Sequence, residues 1–153
     1  MVLSLLGWAA MLALAFLADT CVAEAKTPLA RINSKHVVKL EVAVTTQEIQ
    51  RGLMGRTALP DNAGMVFLFH PPRRVTFWMY RTLIPLDMIF VRDGRVVKLL
   101  ENVPPCKSQN PEECPHYPED QGGITVSEVI EVNGGWAAAH GVKEGHAVVF
   151  ELP

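Results

Sequence analysis

The sequence predicts a small, mainly β domain of the α+β class. About seven strands are expected to roll into a compact, barrel-like antiparallel or mixed sheet, with two short helices covering its ends. Three observations predict this. Short apolar or alternating runs recur along the chain, turn-forming pairs such as Asp93-Gly94 separate them, and only two brief stretches carry a helical signature. Rolling such a sheet removes its exposed edges.

Taken in order, residues 26–36 read as a polar lead-in. From His36 to Val44, Val38, Leu40, Val42 and Val44 alternate with Lys39 and Glu41, the pattern of a half-buried strand. Thr45 and Glu48 match a capping box, so a helix is expected from there to about Met54, with Gly55 as its left-handed stop. Pro60-Asp61-Asn62 is a turn. Extended runs follow at Gly64–Phe69, Arg74–Tyr80, Leu86–Val91 and Arg95–Glu101, the last two joined across Asp93-Gly94 as a hairpin. Residues 103–123 carry five prolines and two cysteines with no periodicity, a long loop of the kind that is functional or stapled. Thr125–Val132 is a strand, Gly135–His140 one or two helical turns ended by Gly141, and His146–Leu152 a last strand. Trp136 is expected to pack that last helix onto the sheet.

The chain has 153 residues, room for one domain, here residues 37–153. Met1 to Ala18 is almost purely apolar, and Ala23-Glu24-Ala25 has the small-x-small form of a signal cleavage site. Cleavage after Ala25 is expected, giving an exported protein of the periplasm, a lumen or the extracellular space. No Lys or Arg precedes the apolar run, so retention as a membrane anchor is the competing reading. Lipid attachment at Cys21 ranks third. The segment 1–25 carries Asp19 and Glu24 and no basic residue, so its removal leaves fourteen residues of each sign and no net charge. Affinity for nucleic acid comes largely from Lys and Arg, and a balanced chain excludes it as the expected partner. Removal also leaves two cysteines, Cys106 and Cys114, which are expected to pair in an oxidising compartment.

Gly52-Leu53-Met54, Gly64-Met65-Val66-Phe67, Phe77-Trp78-Met79 and Ile84-Pro85-Leu86-Asp87 follow one another in the order found in a widespread family. So do Glu128-Val129, Gly135-Trp136-Ala137, Gly141-Val142 and Gly145. On these motifs the chain, over about residues 37–152, resembles the DUF192 domain of unknown function. The resemblance implies a small β-rich fold, often exported, and brings no activity with it. In that family Asn is usual where this chain has Arg81, and Asp is favoured where it has His146. A binding site at the first position would here turn towards an anion.

The candidate site is a polar set among apolar strands: Arg51, Arg56 and Asp87 with Trp78, Tyr80 and Arg81. Asp87 shares a strand face with Ile89 and Val91, and a carboxylate buried there needs a partner. Arg56 is the natural one. That pair is expected either to fix the helix on the sheet or to centre a pocket walled by Trp78 and gated by the 103–123 loop. A second set is Cys106, Cys114 and His116. A disulfide is preferred there over a metal site completed by His140, His146 or Asp120, and over a thiol nucleophile with His116 as base. Met54, Met65, Met79 and Met88 read as core, and His36 and His70 as isolated surface residues. No nucleotide loop, nucleophile elbow or paired-carboxylate motif is present. The expected function is a non-catalytic module for a small molecule or protein, without cofactor or metal. The alternatives are a small hydrolase using Asp87 with Arg56 or a His from the C-terminal region, or a metal-binding periplasmic protein using Cys106, Cys114 and His116.

Overall fold

The computed structural model describes residues 26–119 and 123–152, so the signal-segment expectations, Cys21 and Asp120 lie outside the described residues. The elements in chain order are β1 (Leu29–Ile32), β2 (His36–Ala43), α1 (Thr46–Arg51), β3 (Ala63–Val75), β4 (Phe77–Trp78), β5 (Leu86–Arg92), β6 (Arg95–Val103), β7 (His116–Tyr117), β8 (Ile124–Asn133), α2 (Trp136–Ala139) and β9 (Val148–Glu151). Seven strands form one sheet in the order β6-β5-β8-β3-β2-β1-β9, and β4 pairs with β7 in a separate ribbon. Within the sheet only β2 and β3 run parallel, because α1 crosses between them; the other pairs are antiparallel.

The sheet curls into a half-barrel, and its two edges meet at one end. Arg95 bridges Ala147, Val96 N donates to the His146 carbonyl (2.9 Å), Gly145 N to that of Val96 (2.7 Å), and Val148 N to that of Gly94 (2.8 Å). The mainly β, rolled architecture expected from the sequence is the one observed.

Both faces of the central strands are buried, which explains why the runs at 64–69 and 86–91 are nearly all apolar. The concave face holds Val38, Leu40, Val66, Ile89, Val91, Ile130 and Val132 under Trp136 and Ala137 of α2. The convex face holds Met65, Phe67, Met88, Phe90 and Val129, covered by Leu53, Leu59, Met79 and Phe77 from the segments after α1 and after β3. Met65, Met79 and Met88 are buried as expected. Phe77 is the hub of the convex cluster, edge-on to Phe67 (4.9 Å), Phe90 (6.0 Å) and Phe69 (6.4 Å).

Several local expectations are corrected. The lead-in contains β1, with Ala30 and Ile32 fully buried; four residues are too few for a periodic signal, and the strand exists because β2 and β9 flank it. α1 starts as the capping box requires, with Glu48 N bonded to Thr45 Oγ1 (3.2 Å) and the Glu48 carboxylate returned to Thr45 N (2.9 Å). These bonds lower the Glu48 pKa. The helix stops three residues early, at Gly52, whose φ of 44° and ψ of −133° are open to glycine almost alone. The two runs from 64 to 80 are one long β3 and the short β4. Pro71 and Pro72 sit in β3 where its pairing with β8 shifts register, between Leu68 and Arg73, so their missing N–H groups cost no ladder bond. His36 is not isolated: its ring lies 5.1 Å from His140, which stacks on Trp136 at 4.1 Å.

Candidate functional site

Asp87 is fully buried on the concave face of β5, as its alternation with Ile89 and Val91 indicated. Its partner is not Arg56. The Oδ1 atom accepts from Asn102 N (2.6 Å) and Gly135 N (2.9 Å), and Oδ2 accepts from Ala137 N (2.7 Å). Gly134 N is held in turn by the Pro85 carbonyl (2.9 Å). The Pro85-Leu86-Asp87 and Gly134-Gly135-Trp136-Ala137 segments thus form one joint, in which a carboxylate caps the start of α2. Arg56 instead bonds Glu41 of β2 at 2.6 Å, and that bond raises its pKa further. The expected Asp87–Arg56 pair is corrected on these distances. Asp87 is also on the face of the sheet opposite the aromatic segment, so it cannot centre a pocket with Trp78.

Cys106 and Cys114 form a disulfide, eight residues apart in sequence. It consumes both thiolates, so the metal and thiol-nucleophile readings are corrected too. Among the described residues no group of three His, Cys, Asp or Glu could hold a metal ion. Loop-closure entropy gives such a staple about 2–3 kcal/mol. The stapled loop lies across the aromatic segment: Cys106 N donates to the Met79 carbonyl (3.2 Å), Tyr80 Oη to that of Gln109 (3.4 Å), and Phe77 and Trp78 pair with Tyr117 and His116. Trp78 lies 5.7 Å from Tyr80 and 6.1 Å from His116. The structure therefore unites the loop with Trp78 and Tyr80, and leaves Arg56 and Asp87 elsewhere.

Arg81 stacks over Tyr80 at 5.1 Å and is exposed, at the outer side of this segment. Its backbone explains the Asn usual there. Thr82 N returns to the Met79 carbonyl (3.1 Å), Arg81 has a φ of +54°, and Gly55 N bonds the Arg81 carbonyl (2.9 Å). This is a turn with positive φ at its third position, which Asn tolerates better than Arg. Arg81→Asn is expected to raise stability by about 0.5 kcal/mol, and urea unfolding would show it; a loss of stability would contradict the turn argument.

The residue that the sequence reading missed is Glu131, on β8. It is only 4% exposed and lies beside Val129 on the convex face, paired across the sheet with Met65 and Met88. No hydrogen bond reaches its carboxyl group among the described residues, and burial alone pushes its pKa up to about 8. A signal was available: Glu128 and Glu131 are three apart in a strand, so without a bulge they face opposite sides, and both faces here are apolar.

Glu131 lines a narrow crevice of about 20 Å³, with Gly52, Leu53, Phe67, Phe77, Trp78 and Thr82. The crevice opens between the end of α1 and the β4–β7 ribbon, where a cleft of about 230 Å³ is bounded by Ile49, Gln50, Thr76, Phe77, Trp78 and His116. His116 Nδ1 is 3.3 Å from Thr76 Oγ1. Gly52 is needed at this junction, since a Cβ there would press on the Phe67 ring (3.2 Å). A larger groove of about 760 Å³ runs along β6, but its polar groups, among them Lys98, Glu101 and Glu119, lie near the surface and none is buried.

A seven-stranded half-barrel with two short helices, carrying an aromatic cleft beside a buried acid, defines a small β domain. The profile of DUF192, described as Uncharacterized ACR, matches residues 29–150, and the chain belongs to that family. A crystal structure of a protein of unknown function from Novosphingobium aromaticivorans is 36% identical, with a TM-score of 0.69 over 84% of this chain and 89% of that one. A second, of a protein named as a candidate transcription regulator from Sinorhizobium meliloti, is 29% identical, with a TM-score of 0.68 over 82% and 95%. No curated protein matches the chain.

Proposed function

We propose that the protein is an exported, non-catalytic module that binds a small molecule in the cleft between α1 and the β4–β7 ribbon. The observation that carries this reading is Glu131, a carboxyl only 4% exposed that lines the crevice at the inner end of an aromatic-walled opening. Ligand sites are built in this way, as apolar concavities with few polar groups. The disulfide supports an oxidising compartment, and no helix among the described residues is long and apolar enough to cross a membrane. The balanced charge of residues 26–153 supports a partner other than nucleic acid, whatever the Sinorhizobium protein binds.

Two tryptophans outside the apolar leader make the test internal. Trp78 lines the cleft, whereas Trp136 is buried on the opposite face with its indole N–H bonded to Asn62 (3.0 Å). In an NMR screen of small molecules, hits should move the Trp78 indole resonance and leave Trp136 in place. Trp78→Ala should weaken such hits at least tenfold with the fold intact by circular dichroism. Hits confined to the β6 groove would sink the assignment.

A further inference from the structure

The cleft chemistry narrows the ligand, and this step rests on the binding reading above. We infer that the cleft takes a slender primary amine, its ammonium group seated against Glu131 and its carbon stem along Phe77 and Trp78.

Three features of the site point to this. The room beside Glu131, about 20 Å³, suits a group about the size of a water molecule and excludes a trimethylammonium or a ring. The outer cleft beyond it is walled by Ile49, Phe77 and Trp78, which suits a methylene chain and offers an aromatic face to a cation. The polar groups at the bottom are acceptors or adaptable: the Glu131 carboxyl, the Thr82 hydroxyl, and the end of α1, where helix carbonyls carry partial negative charge. An ammonium brings three donors and no acceptor, so it answers that set. An anionic ligand would instead need the protonated acid and Arg51 as its donors, the alternative that butyrate tests.

Arg51 is the one opposing charge. It lines the crevice, and it also lines the adjoining hollow with Glu41, Glu48 and Arg56, where Glu41 is paired with Arg56 and the Glu48 carboxylate caps α1. The titratable groups facing the site are thus Arg51 from α1, His116 from β7 and Glu131 from β8; β4 and the 79–82 turn contribute none there. Because burial keeps the free carboxyl protonated near neutral pH, seating the amine exchanges one proton for one cation. The neutral acid plus R–NH3+ gives the carboxylate–ammonium pair plus a released H+. No covalent bond other than that O–H is broken. Affinity should therefore rise close to tenfold per pH unit between pH 6 and 7.

Butylammonium, butyrate and butanol at equal concentration separate the possibilities. On the binding reading with an amine ligand, butylammonium shifts the Trp78 indole saturably and butyrate does not. Calorimetry in buffers of different ionisation enthalpy then reports nearly one proton released per amine at pH 7. Glu131→Gln weakens the amine at least tenfold, and Arg51→Gln strengthens it severalfold. If butyrate binds at Trp78 instead, or Arg51→Gln weakens binding, the ligand class is wrong while the cleft stands. Amine binding without proton release overturns the role of Glu131 even if the Gln variant misfolds. If no probe of any charge moves Trp78, the binding reading itself fails.

Discussion

Asp87→Ala should cost this protein about 3 kcal/mol or more, a large part of the total stability of a domain this size. The carboxylate is the acceptor for three backbone N–H groups, those of Asn102, Gly135 and Ala137, from two separate parts of the chain. Removing it leaves those donors buried or forces water among Ile89, Val91 and Ala137. Asp87→Asn keeps the shape but turns an NH2 group towards one of the donors, and should cost roughly 1–3 kcal/mol. Denaturant unfolding of the two variants checks both values. Ligand binding at the convex cleft should survive wherever the Asn variant is folded, since Asp87 serves the opposite face. A variant of near-wild-type stability would show that the joint between β5 and α2 is not a structural one.

Glu131 has the opposite sign. Its pKa is raised from an ordinary 4.5 to about 8 by burial, so the folded chain holds a proton that the unfolded chain gives up. Below about pH 4.5 both states are protonated, and the group costs nothing through its charge. Between 4.5 and 8 stability falls as pH rises, by about 1.4 kcal/mol per unit at most. Above about 8 the buried charge is present in full, at a cost of several kcal/mol. Glu131→Gln removes this dependence. The variant should match the wild type near pH 4, exceed it by a few kcal/mol at pH 8–9, and show the difference growing steadily in between. Parallel stability profiles for the two proteins would contradict the burial-raised pKa of Glu131.

These two acids show what the amino-acid sequence could and could not convey. The face on which Asp87 sits followed from period-2 alternation with Ile89 and Val91. Its partners did not, because they are backbone groups 15 to 50 residues away whose approach depends on sheet order. Arg56, just past the helix end, was the natural partner by its chemistry, yet the parallel β2–β3 crossover puts it beside Glu41. The aromatic segment and the stapled loop were legible as separate features. Their union through β4 and β7 was not, since pairs of two residues leave no pattern. Glu131 was hidden because an acid in a strand is ordinarily read as facing water, and only the two-sided burial of β8 rules that out. The rolled sheet itself was readable from repeated apolar runs and the Asp93-Gly94 turn; β1 escaped because flanking strands, not its own composition, hold it.

The meeting of the sheet edges bears on how the chain reaches this state. β9, the last strand among the described residues, pairs with β1, the first of them, and the residues just before β9 join the start of β6. The roll therefore cannot shut while the C-terminal residues are still inside the ribosome. Until they emerge, β1 and β6 lack that cover, and the nascent chain stays open and dependent on distant contacts, which form slowly. The last described strand thus works as a latch that closes the roll once the strands before it are in place.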